Sequence, residues 1–193
     1  MLIAVAALAI AVLVPAAGGK LSNLGRLRLR GVWTVCAALV VQTMALVIAK
    51  VPQGAARAVH IATYVAILAF IFANRRIPWI WMLALGTALN FLVISANGGV
   101  MPASRAALRA AGLNNETGFH NSSFNAHPHI GVLGDIFATP PSLPLANVFS
   151  VGDVLLLIGL AMVIVAISRT PATTESTYMR PRHDAIGTAT HDR

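Results

Sequence analysis

The chain has 193 residues, of which 57% are hydrophobic and only 10% charged, against about 25% charged in a typical soluble domain. This composition excludes an ordinary soluble globule and a disordered chain, and the single cysteine, Cys36, excludes a disulfide-built scaffold. The net charge of +8 comes from basic residues that flank apolar blocks, so it reads as a determinant of membrane orientation and no nucleic-acid partner is expected.

Five apolar blocks, at about residues 2–17, 32–49, 58–73, 78–96 and 151–168, approach the length of a bilayer crossing. The expected architecture is an all-α membrane protein. Residues 1–168 form a domain of five transmembrane helices, the outer segment 97–150 is interfacial or re-entrant before the last helix, and residues 169–193 form a disordered cytoplasmic tail. The first block lacks the basic start of a signal peptide and is read as a span. Segment 18–31 follows, carrying Lys20, Arg26, Arg28 and Arg30 among leucines. It has two readings: a strap on the inner membrane surface with arginines on lipid phosphates, or a plain topological signal.

In the second block Cys36 reads as a buried, inert thiol. In the third, Ala58, Ala62 and Ala66 repeat every four residues, and Ala69 and Ala73 continue that side. Small residues at this spacing form a packing seam, within the chain or between copies, which leaves a homo-oligomer open. His60 is the one histidine near a span. A bis-histidine haem within one chain is therefore not expected, nor is any other cofactor. In the fourth block Gly86, Asn90 and Asn97 share one helix face. This stripe, with Gln42 and Thr63 as further members, either lines an outer-face site or makes interhelical hydrogen bonds.

Ten of the 14 basic residues lie in segments 18–31, 74–77 and the tail, which share one side if all five blocks cross. That side is expected to be cytoplasmic. The N-terminus and the long segment 97–150 then face outward and the C-terminus lies inside.

Within the outer segment, residues 102–111 suit a short surface helix stopped by Gly112, with Arg105 and Arg109 on one face. His120, His127 and His129, with Asp135 nearby, read as part of a solvated loop, and no metal site is expected. Residues 130–150 are apolar but interrupted by Pro140, Pro141 and Pro144, so they cannot span as a helix. They rest at the interface, or dip in where protein covers the backbone. Asp135 lies in this stretch and Asp153 opens the last block. Ionisable groups embedded in apolar sequence are costly and are site candidates. Two carboxylates in a low-dielectric site share a proton, so that one acts as base and the other as acid. The alternative is that Asp153 caps the last helix and Asp135 caps a turn.

Several segments carry a resemblance. Residues 18–24 (Gly-Gly-Lys-Leu-Ser-Asn-Leu), 29–33 (Leu-Arg-Gly-Val-Trp), 97–102 (Asn-Gly-Gly-Val-Met-Pro), 133–136 (Leu-Gly-Asp-Ile) and 149–156 (Phe-Ser-Val-Gly-Asp-Val-Leu-Leu) together resemble a bacterial family of small multi-span membrane proteins of unknown function. The resemblance implies a bacterial inner membrane and no activity. Residues 133–136 and 149–154 are also similar to the two aspartate segments of lipoprotein signal peptidase, a membrane aspartyl peptidase. Ser150, Gly152 and Val154 stand where that family has Asn, Ala and Ser. This second likeness implies Asp135 and Asp153 as a catalytic dyad.

The first functional reading is an outer-face polar site of Asn90, Asn97, Arg105, Asp135 and Asp153 that binds a lipid headgroup or a partner membrane protein. One alternative is an aspartyl hydrolase acting on a membrane-anchored substrate. Another is a subunit of an oligomeric transporter or channel.

Overall fold

The structure is a computed structural model that describes residues 12, 14, 18–47, 51–113, 122–124, 127–142 and 147–169. Most of the first apolar block, His120 and the tail beyond Arg169 lie outside the described residues.

The chain is mostly helical, with five α-helices among the described residues: α1 (Val32–Val47), α2 (Gln53–Ala73), α3 (Ile80–Ala96), α4 (Arg105–Ala110) and α5 (Val151–Ser168). A 3-10 turn at Leu21–Arg26 precedes them, and another at Gly131–Leu133 follows α4. Helix α1 packs on α2, α2 on α3, and α3 on α5. Two helices, α2 and α5, with 21 and 18 residues, are long and apolar enough to cross a membrane. Helices α1 and α3 are apolar but have 16 and 17 residues, or roughly 24–26 Å at 1.5 Å per residue, somewhat short of a hydrocarbon core of about 30 Å.

The helix limits differ from the apolar blocks for local reasons. Helix α2 starts at Gln53, not near residue 58, because its polar first turn stays helical behind Pro52, whose carbonyl accepts from Ala56 N–H at 3.0 Å. Helix α3 starts at Ile80 because Trp79, just before it, has left-handed φ of 64°. Cys36 is exposed rather than buried, since among the described residues the helix packed on α1 is α2. The Ala58–Ala73 side of α2 is likewise open, with Ala58, Ala62, Ala69 and Ala73 all exposed.

Segment 97–150 corrects the all-α expectation. It contains a four-stranded sheet ordered β2-β1-β3-β4, built from β1 (Met101–Ala103), β2 (Ser122–Phe124), β3 (Asp135–Ala138) and β4 (Val148–Ser150). Strand β1 pairs in parallel with β2 and β3. Strands β3 and β4 are antiparallel, with Asp135 opposite Ser150 and Phe137 opposite Phe149. The two phenyl rings stack at 5.4 Å. Pro140 and Pro141, which forbid a helix, thus sit in the connection between two short strands, and Pro144 lies outside the described residues.

Helix α4 starts three residues later than the sequence suggests, because Pro102 and Ala103 belong to β1. Ser104 caps α4 by accepting from Ala107 N–H at 3.1 Å. At its other end Gly112, with φ of 68°, lets Leu113 N–H reach back to the Leu108 carbonyl at 2.9 Å, a closure that satisfies terminal carbonyls. Ala107 and Ala111 bury against Ala103 and Val148, while Arg105 and Arg109 are exposed. A second apolar cluster of Val93, Ile94 and Met101, joined by Ile61, Tyr64 and Leu133, fixes the sheet to the end of α2 and α3.

The bundle therefore has two unlike ends. One carries the sheet. At the other, Lys20 N–H donates to the Ser168 carbonyl at 2.9 Å, and Arg30 is bonded to Asn74 in the α2–α3 turn. Lys20, Arg26, Arg28, Arg30, Arg75, Arg76 and Arg169 all belong to the segments that meet at this second end.

Candidate functional site

A polar cluster forms where β4 runs into α5. The sequence Ser150-Val151-Gly152-Asp153 precedes an apolar run and is a capping box. Ser150 Oγ accepts from Asp153 N–H at 3.1 Å, and Asp153 Oδ2 accepts from Ser150 N–H at 3.0 Å. These contacts satisfy donors that the start of a helix leaves open. The alternative weighed for Asp153, a first-turn acid, thus describes its local geometry.

Asp153 also reaches beyond its own helix. Its Oδ1 accepts from Asn90 Nδ2 of α3 at 2.9 Å. Asn90 Oδ1 in turn lies 2.9 Å from Ser150 Oγ, which is also 3.0 Å from Asp153 Oδ2. A hydroxyl has one proton, so Ser150 donates to Asn90 or to Asp153 at any instant. Tyr64 of α2 lies beside Asn90 and within electrostatic range of both Asp153 and Asp135. Ser150 and Asn90 are fully buried, and Asp135 is 4% exposed. Asp153 is partly exposed.

Gly152 makes this arrangement possible. A Cβ there would overlap Asn90 Oδ1, and a Cβ on Gly86 would lie 2.7 Å from the Gly152 carbonyl oxygen. Helices α3 and α5 approach at these two glycines, which brings Asn90 over the first turn of α5. Gly86 and Asn90 thus use their shared face for packing and for the cluster.

Asp135 arrives from a different element. It lies in β3 and not in a turn, and the β3–β4 register sets it opposite Ser150. The structure thus brings Asp135, Asp153 and Asn90 to one place. Asn97 is elsewhere. Its Nδ2 donates to the Val93 and His129 carbonyls at 2.8 and 2.9 Å, and its Oδ1 accepts from His129 N–H at 3.0 Å. Asn97 therefore clamps the loop before β3 to the end of α3. Arg105 lies on the exposed side of α4, at the same end of the bundle.

The other stripe members do not join either. Thr63 donates to the Val59 carbonyl of its own helix at 2.9 Å. Gln42 is on α1, and its Oε1 is buried with no hydrogen-bond partner among the described residues. His60 is buried, with Nδ1 3.0 Å from the Gly99 carbonyl, which ties α2 to the turn leading into β1. His127 and His129 are exposed.

Sequence reasoning missed Ser150 and Tyr64. For Ser150 a signal was present, since Ser-x-x-Asp before an apolar run is a capping signature. For Tyr64 there was none, because a tyrosine inside an apolar block looks like any other large side chain.

A family model described as a family of unknown function, DUF5317, matches residues 26–165. The chain belongs to the DUF5317 family. In this DUF5317 protein the match takes in α1 to α4, the sheet and nearly all of α5, so the whole cluster lies inside it. The chain is also 34% identical over 99 residues to an uncharacterized protein of Thermotoga maritima. That similarity covers 50% of this chain and 56% of the relative, so the chain spans about half the length of the protein it matches. No solved structure matches.

Proposed function

We propose that this DUF5317 protein is a multi-pass inner-membrane protein whose outer-end cluster binds the headgroup of an amine-bearing membrane lipid. Its N-terminus is outside and its C-terminus cytoplasmic. The gathering of basic residues at the end opposite the sheet supports this orientation. Large apolar side chains exposed along the helices, among them Val40, Val41, Met44, Val65, Phe72, Leu92 and Ile158, suit a lipid environment.

One observation carries the binding reading: Asp135 from β3 and Asp153 from α5 meet at a single polar cluster through Ser150. Carboxylates at the rim of an apolar bundle attract a cation that can hydrogen-bond, and charge-assisted bonds are the stronger kind. Asp153, the partly exposed member, is the group a ligand meets first. Arg105 on α4 offers a positive charge at the same end for the headgroup phosphate. A partner membrane protein bearing a lysine at that depth would use the same chemistry.

The test compares ethanolamine with choline headgroups, since only the first has N–H donors. Native mass spectrometry of the full chain with each lipid is expected to give about a tenfold preference for ethanolamine, the usual scale of one charge-assisted contact. The isosteric changes Asp135→Asn and Asp153→Asn are expected to reduce that preference, with thermal unfolding of each variant in detergent checking that the fold is kept. Equal retention of both lipids, or an undiminished preference in both variants, sinks the headgroup reading.

The same convergence supports a second reading, an aspartyl hydrolase acting on a lipid-anchored substrate. One Asp would take a proton from water and its partner would protonate the leaving group. The bonds that Asp153 accepts from Asn90 and Ser150 weigh toward binding instead. Normal lipoprotein processing by both Asn variants at normal abundance removes the hydrolase. An oligomeric transporter has less support, because Asn90 spends its polar atoms within one chain.

A further inference from the structure

We propose that the end of the bundle opposite the sheet holds a phosphate-binding clamp for anionic phospholipid, formed by the strap of residues 20–30 and the α2–α3 turn. It rests on the membrane reading above, and it is independent of the acidic cluster.

The strap begins where α5 ends. Lys20 N–H and Asn23 Nδ2 both donate to the Ser168 carbonyl, at 2.9 and 3.0 Å. It finishes beside the α2–α3 turn, where Arg30 N–H donates to Asn74 Oδ1 and Asn74 Nδ2 donates to the Arg30 carbonyl, each at 2.9 Å. Asn74 is buried and also donates to the Phe70 carbonyl at 2.8 Å. The strap is thus pinned at both ends, and its position does not depend on lipid.

Pinning brings the backbone of Arg30 onto Asn74, the residue before Arg75, so that two pairs of arginines come from adjoining segments. Arg28 and Arg30 come from the strap, Arg75 and Arg76 from the turn, and all four are exposed. Arg75 leans over the Phe72 ring at 4.7 Å and donates to its carbonyl at 3.3 Å, which orders its guanidinium. The acids among the described residues are Asp135 and Asp153, both at the opposite end of a helix about 27 Å long. Guanidinium groups in a planar fork match phosphate oxygens two at a time.

The surroundings select lipid over a soluble phosphate. Trp33, Trp79 and Trp81 are exposed at the same end, at 83%, 44% and 55%. Exposed indoles beside arginines mark the headgroup level of a bilayer. A headgroup lying there has its phosphate among the arginines and its acyl chains along the apolar sides of α1 and α3.

The experiment uses the full chain in nanodiscs of phosphatidylcholine, alone or doped with phosphatidylglycerol, with native mass spectrometry counting retained lipids. Wild type is expected to retain phosphatidylglycerol preferentially, with about fivefold in affinity lost per arginine charge removed in Arg28→Gln and Arg75→Gln. A quadruple Arg→Lys variant at residues 28, 30, 75 and 76 separates the clamp from a topological signal. Lysine preserves the positive charge that orients the chain but lacks the planar fork. Insertion and orientation, read by labelling of introduced cysteines, are expected to stay unchanged while retention falls severalfold. Equal retention by wild type and the lysine variant overturns the clamp, as does absence of any preference for the anionic lipid. Binding of inorganic phosphate or an oligonucleotide as strongly as lipid overturns its assignment to lipid. Failure of wild type to insert at all would instead strike the membrane reading.

Discussion

Asp135 faces Ser150 directly across the β3–β4 pair, and Ser150 is at the same time the N-cap of α5. One serine therefore joins the sheet to the bundle. Its backbone belongs to a strand ladder, and its N–H and hydroxyl belong to the start of a helix. Through it, a strand acid and a helix acid 18 positions apart become neighbours of the same Tyr64. Changes at Ser150 should therefore be felt in both layers.

Ser150→Ala removes the cap and leaves Asn90 Oδ1 without its Ser150 donor. A lost cap costs about 1 kcal/mol, and a buried acceptor stripped of a partner about 1–3 kcal/mol. The expected loss is about 2–4 kcal/mol, measured by thermal or denaturant unfolding in detergent, with Ser150→Thr retaining most of the stability.

The Asn90–Asp153 bond can be weighed directly. A double-mutant cycle with Asn90→Ala and Asp153→Ala should return a coupling of about 0.5–2 kcal/mol, the range for polar contacts between packed membrane helices and for neighbouring sites. Strict additivity of the two losses would mean that the bond is not formed.

Gly152→Ala forces a methyl group into the Asn90 side chain and the Gly86 carbonyl. Overpacking of this kind costs about 1–3 kcal/mol or more, and here it also displaces the residue that holds Asp153. Gly54→Ala is the control: open space surrounds it in α2, so its effect should stay within about 0.5 kcal/mol. Comparing melting temperatures of the two variants checks the pair.

Asn97→Ala releases the backbone of His129 from α3. The His129 amide should exchange with deuterium about three- to tenfold faster, as loss of one modest hydrogen bond allows. Amides within α5 should keep their protection, because Asn97 lies outside the Ser150 cluster.

The helices were legible in the sequence because apolar runs of this length have few other uses, although their limits were set by features the runs do not encode, such as Trp79 and Pro52. Asp153 could be read both as a helix-end acid and as a site acid, and the structure finds it in the first turn of α5, completing the capping box of Ser150 while touching Asn90. Asn90 was legible through its spacing from Gly86. The sheet was not. Its strands have three or four residues each, too few for a two-residue alternation to emerge, and β1 pairs with partners that are distant in the chain. Parallel pairs of that kind leave no local mark. Asn97 was read as a site member because spacing reports a helix face and not its height. Seven residues above Asn90, about 10 Å along the axis, it meets a different loop.

The contrast between the two ends has an electrical consequence. In the proposed orientation, with the arginine-rich end in the cytoplasm and Asp135 and Asp153 at the far rim, the molecule would be a fixed dipole aligned with an inside-negative membrane voltage. Turning it over would carry a set of positive charges up that voltage, at about 2.3 kcal/mol for each charge per 100 mV. The resting cell would thus hold the protein upright for as long as it stays energised.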